Sequence, residues 1–220
     1  PGDINTGRWE SQPSLGPDGQ TIYFVRGENS MGVDMDIFVS TLGIDGNWSK
    51  GKKLPKSINS PDRESSPFIH FDGKTLYFRS ERSPSLGGSD FFKCTRLTDS
   101  TWSEAVNLGF PLNSFGEEFS MVIDKSGTFG YLASDRGNEI LPDYTTMTEL
   151  DLYRFDLPEH LQPEARENYD IVIVDSLSNK AIGNATVQLY NDEGVQFFNG
   201  TSRQYTGWVR LMTDFSDIRV

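Results

Sequence analysis

At 220 residues, with 35% hydrophobic and 12% aromatic side chains, the chain is long enough for one large β domain or two smaller ones. A formal net charge of −12 offers no basic face for nucleic-acid phosphates, and no apolar run approaches the roughly 20 residues of a membrane span. A single cysteine, Cys94, excludes an internal disulfide framework.

The first predicted pair of elements is the hairpin from Gln12 to Phe24, in which Asp18-Gly19 joins two strands dense in β-formers. Ser66 to Phe78 copies it 54 residues later around Asp72-Gly73, and Ser120 to Leu132 copies it again around Lys125-Ser126-Gly127. Glu10, Glu64 and Glu118 keep the same period, as do Gly19, Gly73 and Gly127, and Tyr23, Tyr77 and Tyr131. Trp48-Ser49 recurs as Trp102-Ser103, Asp36-Ile37-Phe38 as Asp90-Phe91-Phe92, and Asn59-Ser60 as Asn113-Ser114. In the middle copy four strands are predicted, beginning near Glu64, Lys74, Asp90 and Trp102. Four strands at a period near 50 predict β-propeller blades. Thr75-Leu76-Tyr77-Phe78 does not alternate apolar with polar, so both of its faces must be covered. No segment keeps a 3.6-residue apolar period, which excludes a helical repeat.

The fold class expected is therefore all-β: a partial ring of four-stranded blades, followed by a partial Ig-like or transthyretin-like sandwich. Residues 1–157 hold three blades and, because Pro1 to Thr6 aligns with Pro55 to Ser60, the tail of a preceding one; the chain reads as a fragment of a longer protein. The third copy loses its turn Asp, gains seven residues within Gly137 to Glu149 and has no Trp-Ser strand. A strand from the propeller's missing N-terminal part would close such a ring. The insertion reads as tolerated rather than as a docking surface. Residues 158–168 form a polar, proline-flanked linker. Residues 169–220 form the truncated sandwich, with strands at Tyr169 to Val174, Ala185 to Tyr190 and Trp208 to Leu211.

Candidate chemistry is sparse. His70 and His160 are the only histidines and are expected to be exposed bystanders. Leu86-Gly87-Gly88-Ser89-Asp90 lacks the second glycine of a nucleophile elbow. Asp18 and Asp72 are turn formers. Glu10, Glu64 and Glu118 recur once per blade, which suits a structural role better than a catalytic carboxylate pair. Cys94 is expected to be a buried small hydrophobe rather than a reactive thiol. Asp34 and Asp36 beside Met31-Gly32-Val33 suggest a turn cap before a cation loop, since no 12-residue calcium loop is present. Tyr23, Tyr77 and Tyr131 are expected in the blade core rather than as a sugar platform. Asn47, Asn184 and Asn199 head glycosylation sequons, which mean nothing in a bacterial protein.

Pro67-x4-Asp72-Gly73-Lys74-Thr75-Leu76-Tyr77-Phe78-x-Ser80, Gly87-Gly88-x-Asp90 and Trp102-Ser103-x3-Asn107-Leu108-Gly109-x-Pro111-Leu112-Asn113-Ser114 resemble the TolB-like, WD-type propeller repeats of Bacteroidota OmpA-family envelope proteins. In those proteins a carboxypeptidase-regulatory-like sandwich follows, which Lys180 to Val187 and Thr206-Gly207-Trp208 resemble. The resemblance implies a non-enzymatic, protein-binding scaffold of the cell envelope, periplasmic and outer-membrane associated, in the setting of type IX secretion or gliding. It implies other envelope proteins as partners through the propeller face or loops, and peptidoglycan only through an OmpA-type domain absent from this sequence. No catalytic, metal or cofactor site, no nucleic acid and no direct membrane span are expected. The alternative is a propeller module attached to a glycan-active enzyme or a peptidase.

Overall fold

The computed structural model describes residues 4–28, 34–137, 150–164, 167–190, 194, 196–202 and 207–213. The chain divides into two compact units, Pro1–Glu164 and Ala165–Val220.

In the first unit, β1 (Glu10–Leu15), β2 (Thr21–Arg26), β3 (Asp36–Thr41) and β4 (Lys52–Lys53) form one antiparallel sheet in chain order. The strands β5 (Glu64–Ile69), β6 (Thr75–Ser80), β7 (Asp90–Thr95) and β8 (Val106–Asn107) form the second in the same order. The third sheet has β9 (Glu118–Ile123), β10 (Phe129–Ser134) and β11 (Asp151–Asp156). Matching strands start 54 residues apart, except that β11 follows β7 by 61 because of the seven added residues, so the sequence repeat is a repeat of sheets. The fourth strands are shorter than expected. Trp48 and Trp102 make only single bridges, to Leu42 and Arg96, and the paired strands begin at Lys52 and Val106.

Each hairpin turn is fixed by one carboxylate. Asp72 Oδ1 accepts the Lys74 and Thr75 amides at 2.9 Å each, and its Oδ2 accepts the Thr75 hydroxyl at 2.6 Å. Asp18 does the same for Gln20 and Thr21. Gly73 follows at φ +68°, a conformation that costs glycine little. The expectation that the third turn has lost its Asp needs correction. Asp124, two residues upstream of the periodic position, accepts from the Ser126, Thr128 and Phe129 amides instead.

The sheets stack face to face. Tyr23 and Ile37 from the first meet Leu76, Phe78, Phe92 and Trp102 from the second. Tyr77 and Phe91, on the opposite face of that sheet, meet Met121, Ile123 and Leu132 of the third. This explains the unbroken apolar run in β6: successive side chains enter different cores. Each fully buried Phe or Leu contributes about 2 kcal/mol. The three tyrosines do not share one environment, contrary to expectation. Tyr23 and Tyr77 are 2% and 0% exposed, whereas Tyr131 is 45% exposed because no described sheet covers its face.

Residues 158–164 are not a free linker. A 3-10 turn at Glu159–Leu161 buries Leu161 in the second core, the Tyr77 hydroxyl donates to the Leu161 carbonyl at 2.7 Å, and Lys93 Nζ donates to the Gln162 carbonyl at 2.8 Å. The expected insertion within Gly137 to Glu149 lies outside the described residues from 138 onwards.

In the second unit, β12 (Glu167–Val172) pairs antiparallel with β15 (Trp208–Thr213), and β13 (Thr186–Tyr190) with β14 (Gln196–Thr201). Asp175 caps the turn after β12 by accepting the Leu177 and Ser178 amides. The Ser202 hydroxyl accepts the Ala185 amide and donates to the Ile182 carbonyl. These are two ladders, and no complete sandwich is formed by the described residues.

Candidate functional site

The polar side chains that keep the 54-residue period converge on the seams between strands and sheets. Glu64, with a side chain 0% exposed, is the clearest case. Its Oε1 accepts the Ser60 hydroxyl at 2.6 Å, the Ser80 hydroxyl at 2.7 Å and Arg82 Nη2 at 3.3 Å, and its Oε2 accepts the Ser60 amide at 2.9 Å. Arg82 also donates to the carbonyls of Ser57 and Ile58 and lies over the Phe78 and Phe92 rings, 5.2 and 5.0 Å from their centroids. The third sheet repeats the cluster with Ser114, Glu118, Ser134 and Arg136, which donates to the carbonyls of Pro111 and Leu112. In the first sheet Arg26 stands at the Ser80 register opposite Glu10 and supplies the guanidinium, Nε to Oε1 at 2.8 Å. The arginines are the residues that sequence reading missed. Ser80-Glu81-Arg82 and Ser134-Asp135-Arg136 carried the signal, and the displacement of Arg26 by two positions concealed it.

Burial pushes the Glu64 and Glu118 carboxyls up, against the opposing pull of their serine hydroxyls and arginines. For Glu10, at the uncovered face of the first sheet, Thr6 and Arg26 outweigh burial and hold the carboxyl below the ordinary range. A raised folded value means that the native state holds a proton the unfolded chain has released. The stability that Glu64 and Glu118 contribute is thus full below about pH 4.5 and is lost as pH rises through their folded values. Glu10, Asp72 and Asp124, all lowered, act in the separate window below their ordinary values of 4.5 and 3.8. Denaturation midpoints are expected to fall as pH rises from 4.5 towards 7, with a shallower fall in Glu64→Gln. An unchanged slope in that variant would contradict the assignment.

Asparagine supplies the second repeated clamp. Asn59 accepts the Ile37 amide and donates to the Ile37 and Leu54 carbonyls; Asn113 accepts the Phe91 amide and donates to its carbonyl. Both asparagines are buried, and each satisfies a third strand 22 residues upstream.

Side-chain bonds also tie the first strands of adjacent sheets. Gln12 and Ser66 sit at β-bulges with φ near +49° and +48°. The Ser66 amide donates to Gln12 Oε1 at 2.8 Å, the Ile69 amide to the Ser14 hydroxyl at 3.0 Å, and the Ser66 hydroxyl to the Phe119 carbonyl.

His70 corrects another expectation. It is 2% exposed, not a bystander, because the turns of the second and third sheets close over it. The Asp72 amide donates to its Nδ1 at 3.1 Å, which leaves Nε2 as the donor to the Asp124 carbonyl at 2.9 Å. His160 is exposed. Cys94 is fully buried, and burial pushes its thiol up to about 12. Asp36 accepts Lys53 Nζ at 2.6 Å, while Met31-Gly32-Val33 lie outside the described residues. Among the described residues no three or more His, Cys, Asp or Glu side chains group as metal ligands would, and no helix is long and apolar enough to cross a membrane.

The Gly87-Gly88 pair serves close approach. A Cβ on Gly87 would collide with the Gly116 carbonyl and lie 2.9 Å from the Ser114 carbonyl, and one on Gly88 would strike the Glu117 carboxylate. Beside them Glu117 pairs with Arg79 and accepts the Ser89 hydroxyl at 3.0 Å. Gly87→Ala is expected to cost about 2 kcal/mol by overpacking against backbone that cannot rotate away. Urea denaturation measures it, and a loss below about 0.5 kcal/mol would show that the loops are not locked together.

Antiparallel sheets of four, four and three strands, related by one period and stacked face to face, define an all-β, propeller-like array, with no closed ring among the described residues. No protein-family model matches the chain, and no curated protein matches it by sequence. Among solved structures it is similar to TolB from Acinetobacter baumannii, at 14% identity and a TM-score of 0.44, over 93% of this chain and 47% of that one. An α-L-arabinanase of Penicillium chrysogenum complexed with arabinobiose gives 15% and 0.43, over 87% of this chain and 57% of that one. A prolyl endopeptidase structure gives 15% and 0.38, over 92% and 30%. The chain therefore spans about half the length of the first two.

Proposed function

We propose that this chain belongs to a non-enzymatic, protein-binding scaffold of the bacterial cell envelope, an OmpA-family protein associated with the outer membrane and peptidoglycan, with type IX secretion or gliding as its setting. The observation that carries this reading is the fate of the carboxylates recurring once per sheet. Glu10, Glu64 and Glu118 are all engaged by an arginine and a neighbouring Ser or Thr hydroxyl, which makes them framework rather than an acid-base pair. The order of modules in the sequence, propeller repeats and then a regulatory-type sandwich, supports the envelope setting.

Contact with other envelope proteins would fall on the loops between sheets. Leu86, Phe110 and Phe115 are 41%, 82% and 90% exposed, and the Gly87 contact places the first and last of these in touching loops. The test is fractionation of cells producing the full-length protein, with site-specific crosslinking from position 115. Recovery in the outer-membrane fraction, with a crosslink to an envelope protein that Leu86→Asp in the touching loop removes, is the expected result. Hydrolysis of an arabinan or a prolyl peptide that depends on an acid unique to one sheet, such as Glu117, would replace this reading by the alternative, a propeller module attached to a glycan-active enzyme or a peptidase.

A further inference from the structure

We propose that the open face of the first sheet is the seat of a further four-stranded sheet of the same repeat, supplied by residues N-terminal to this chain in the same polypeptide. A pocket of about 350 Å³ opens on that face, and its walls include Ile4, Asn5, Ser11, Ile22, Phe24 and Trp48. Each stands 54 residues before a residue that the first sheet helps to bury: Ile58, Asn59, Ser65, Leu76, Phe78 and Trp102, none more than 9% exposed. Phe24 is already 2% exposed, packed by Phe38 and Arg26 of its own sheet; the rest of the pocket wall is the surface that the second sheet presents to the first, here without its cover.

What fills the equivalent space in the second sheet defines the occupant. Tyr23 and Ile37 enter it, and the Tyr23 ring meets Trp102 edge-on at 6.2 Å. The missing sheet must therefore carry an aromatic residue at the Tyr23 register and a branched aliphatic one at the Ile37 register. Two polar groups await it. The Ser11 hydroxyl is buried without a hydrogen-bond partner among the described residues. Asn5, the counterpart of Asn59 and Asn113, is exposed, and among the described residues its amide makes no hydrogen bond. Both of those counterparts clamp a third strand 22 residues upstream in their own chain. Asn5 calls for the same strand at the same spacing, which places the occupant in cis. The direction of stacking agrees, since each covered face of this kind is covered by the sheet that precedes it in sequence.

The test compares Ile22→Cys in this chain and in the polypeptide extended by its native upstream residues, using a thiol reagent to which buried Cys94 is inert. Labelling is expected to proceed at an unprotected rate in this chain and about 100-fold more slowly in the extended one. Asn5→Ala is expected to lower the Tm of the extended polypeptide and leave that of this chain unchanged. Equal labelling rates, or an upstream sequence without the repeat, would overturn the proposal. Slow labelling of this chain alone, with dimers in sedimentation, would overturn it in favour of a second copy as occupant.

Discussion

Glu64→Ala is expected to lower the unfolding free energy of the repeat array by about 3 kcal/mol, the scale for removing one member of a buried ion pair. The loss is large because one carboxylate serves four donors. Without it the Ser60 amide and hydroxyl, the Ser80 hydroxyl and one arm of Arg82 lose their acceptor in a site closed to water. Arg82 would still hold the Ser57 and Ile58 carbonyls and its place over Phe78 and Phe92, so the strand crossing should persist at reduced stability. Replacing Arg82 as well should cost less than the sum of the single changes, since each already breaks the shared contact. Denaturant titration of the two single variants and the double variant measures both quantities. A loss below about 1 kcal/mol for Glu64→Ala would place the carboxylate outside the framework.

The second large effect separates two residues that the repeat makes equivalent. Tyr77→Ala is expected to cost about 4 kcal/mol and Tyr131→Ala less than about 1 kcal/mol. Tyr77 is fully enclosed between the second and third sheets, and its hydroxyl satisfies the Leu161 carbonyl. Burial pushes that phenol far up, so it stays a neutral donor across the working pH range. Tyr131 has nearly half its surface in solvent. Tyr77→Phe isolates the hydroxyl and is expected to cost about 1 kcal/mol. Equal losses at positions 77 and 131 would mean that the third sheet's outer face is covered in solution.

That contrast also shows what the sequence made legible and what it did not. Period and strand starts could be read because each sheet needs the same residue at the same register, as at Glu10, Glu64 and Glu118. Coverage could not, because it depends on which sheet lies alongside. Tyr131 matches Tyr77 in sequence and differs from it only in its neighbours. His70 misled for the same reason. It sits at a turn, a place usually open to water, and only the approach of the Asp124 turn buries it. Residues 158–164 have the composition of a linker, and Leu161 alone gives the segment a side chain to bury. The glutamates stood out by their period, but their arginine partners did not, since a long side chain can reach one site from two registers.

The central claim, that three repeated sheets are stacked so that the middle one is covered on both faces and held by repeated polar clamps, is tested most directly by native-state hydrogen exchange of the whole chain. The slowest amides are expected in β6 and β7, with β2 and β10 exchanging faster because each of their sheets has one open face. Protection that is uniform over the three sheets, or greatest in the first or the third, would contradict it.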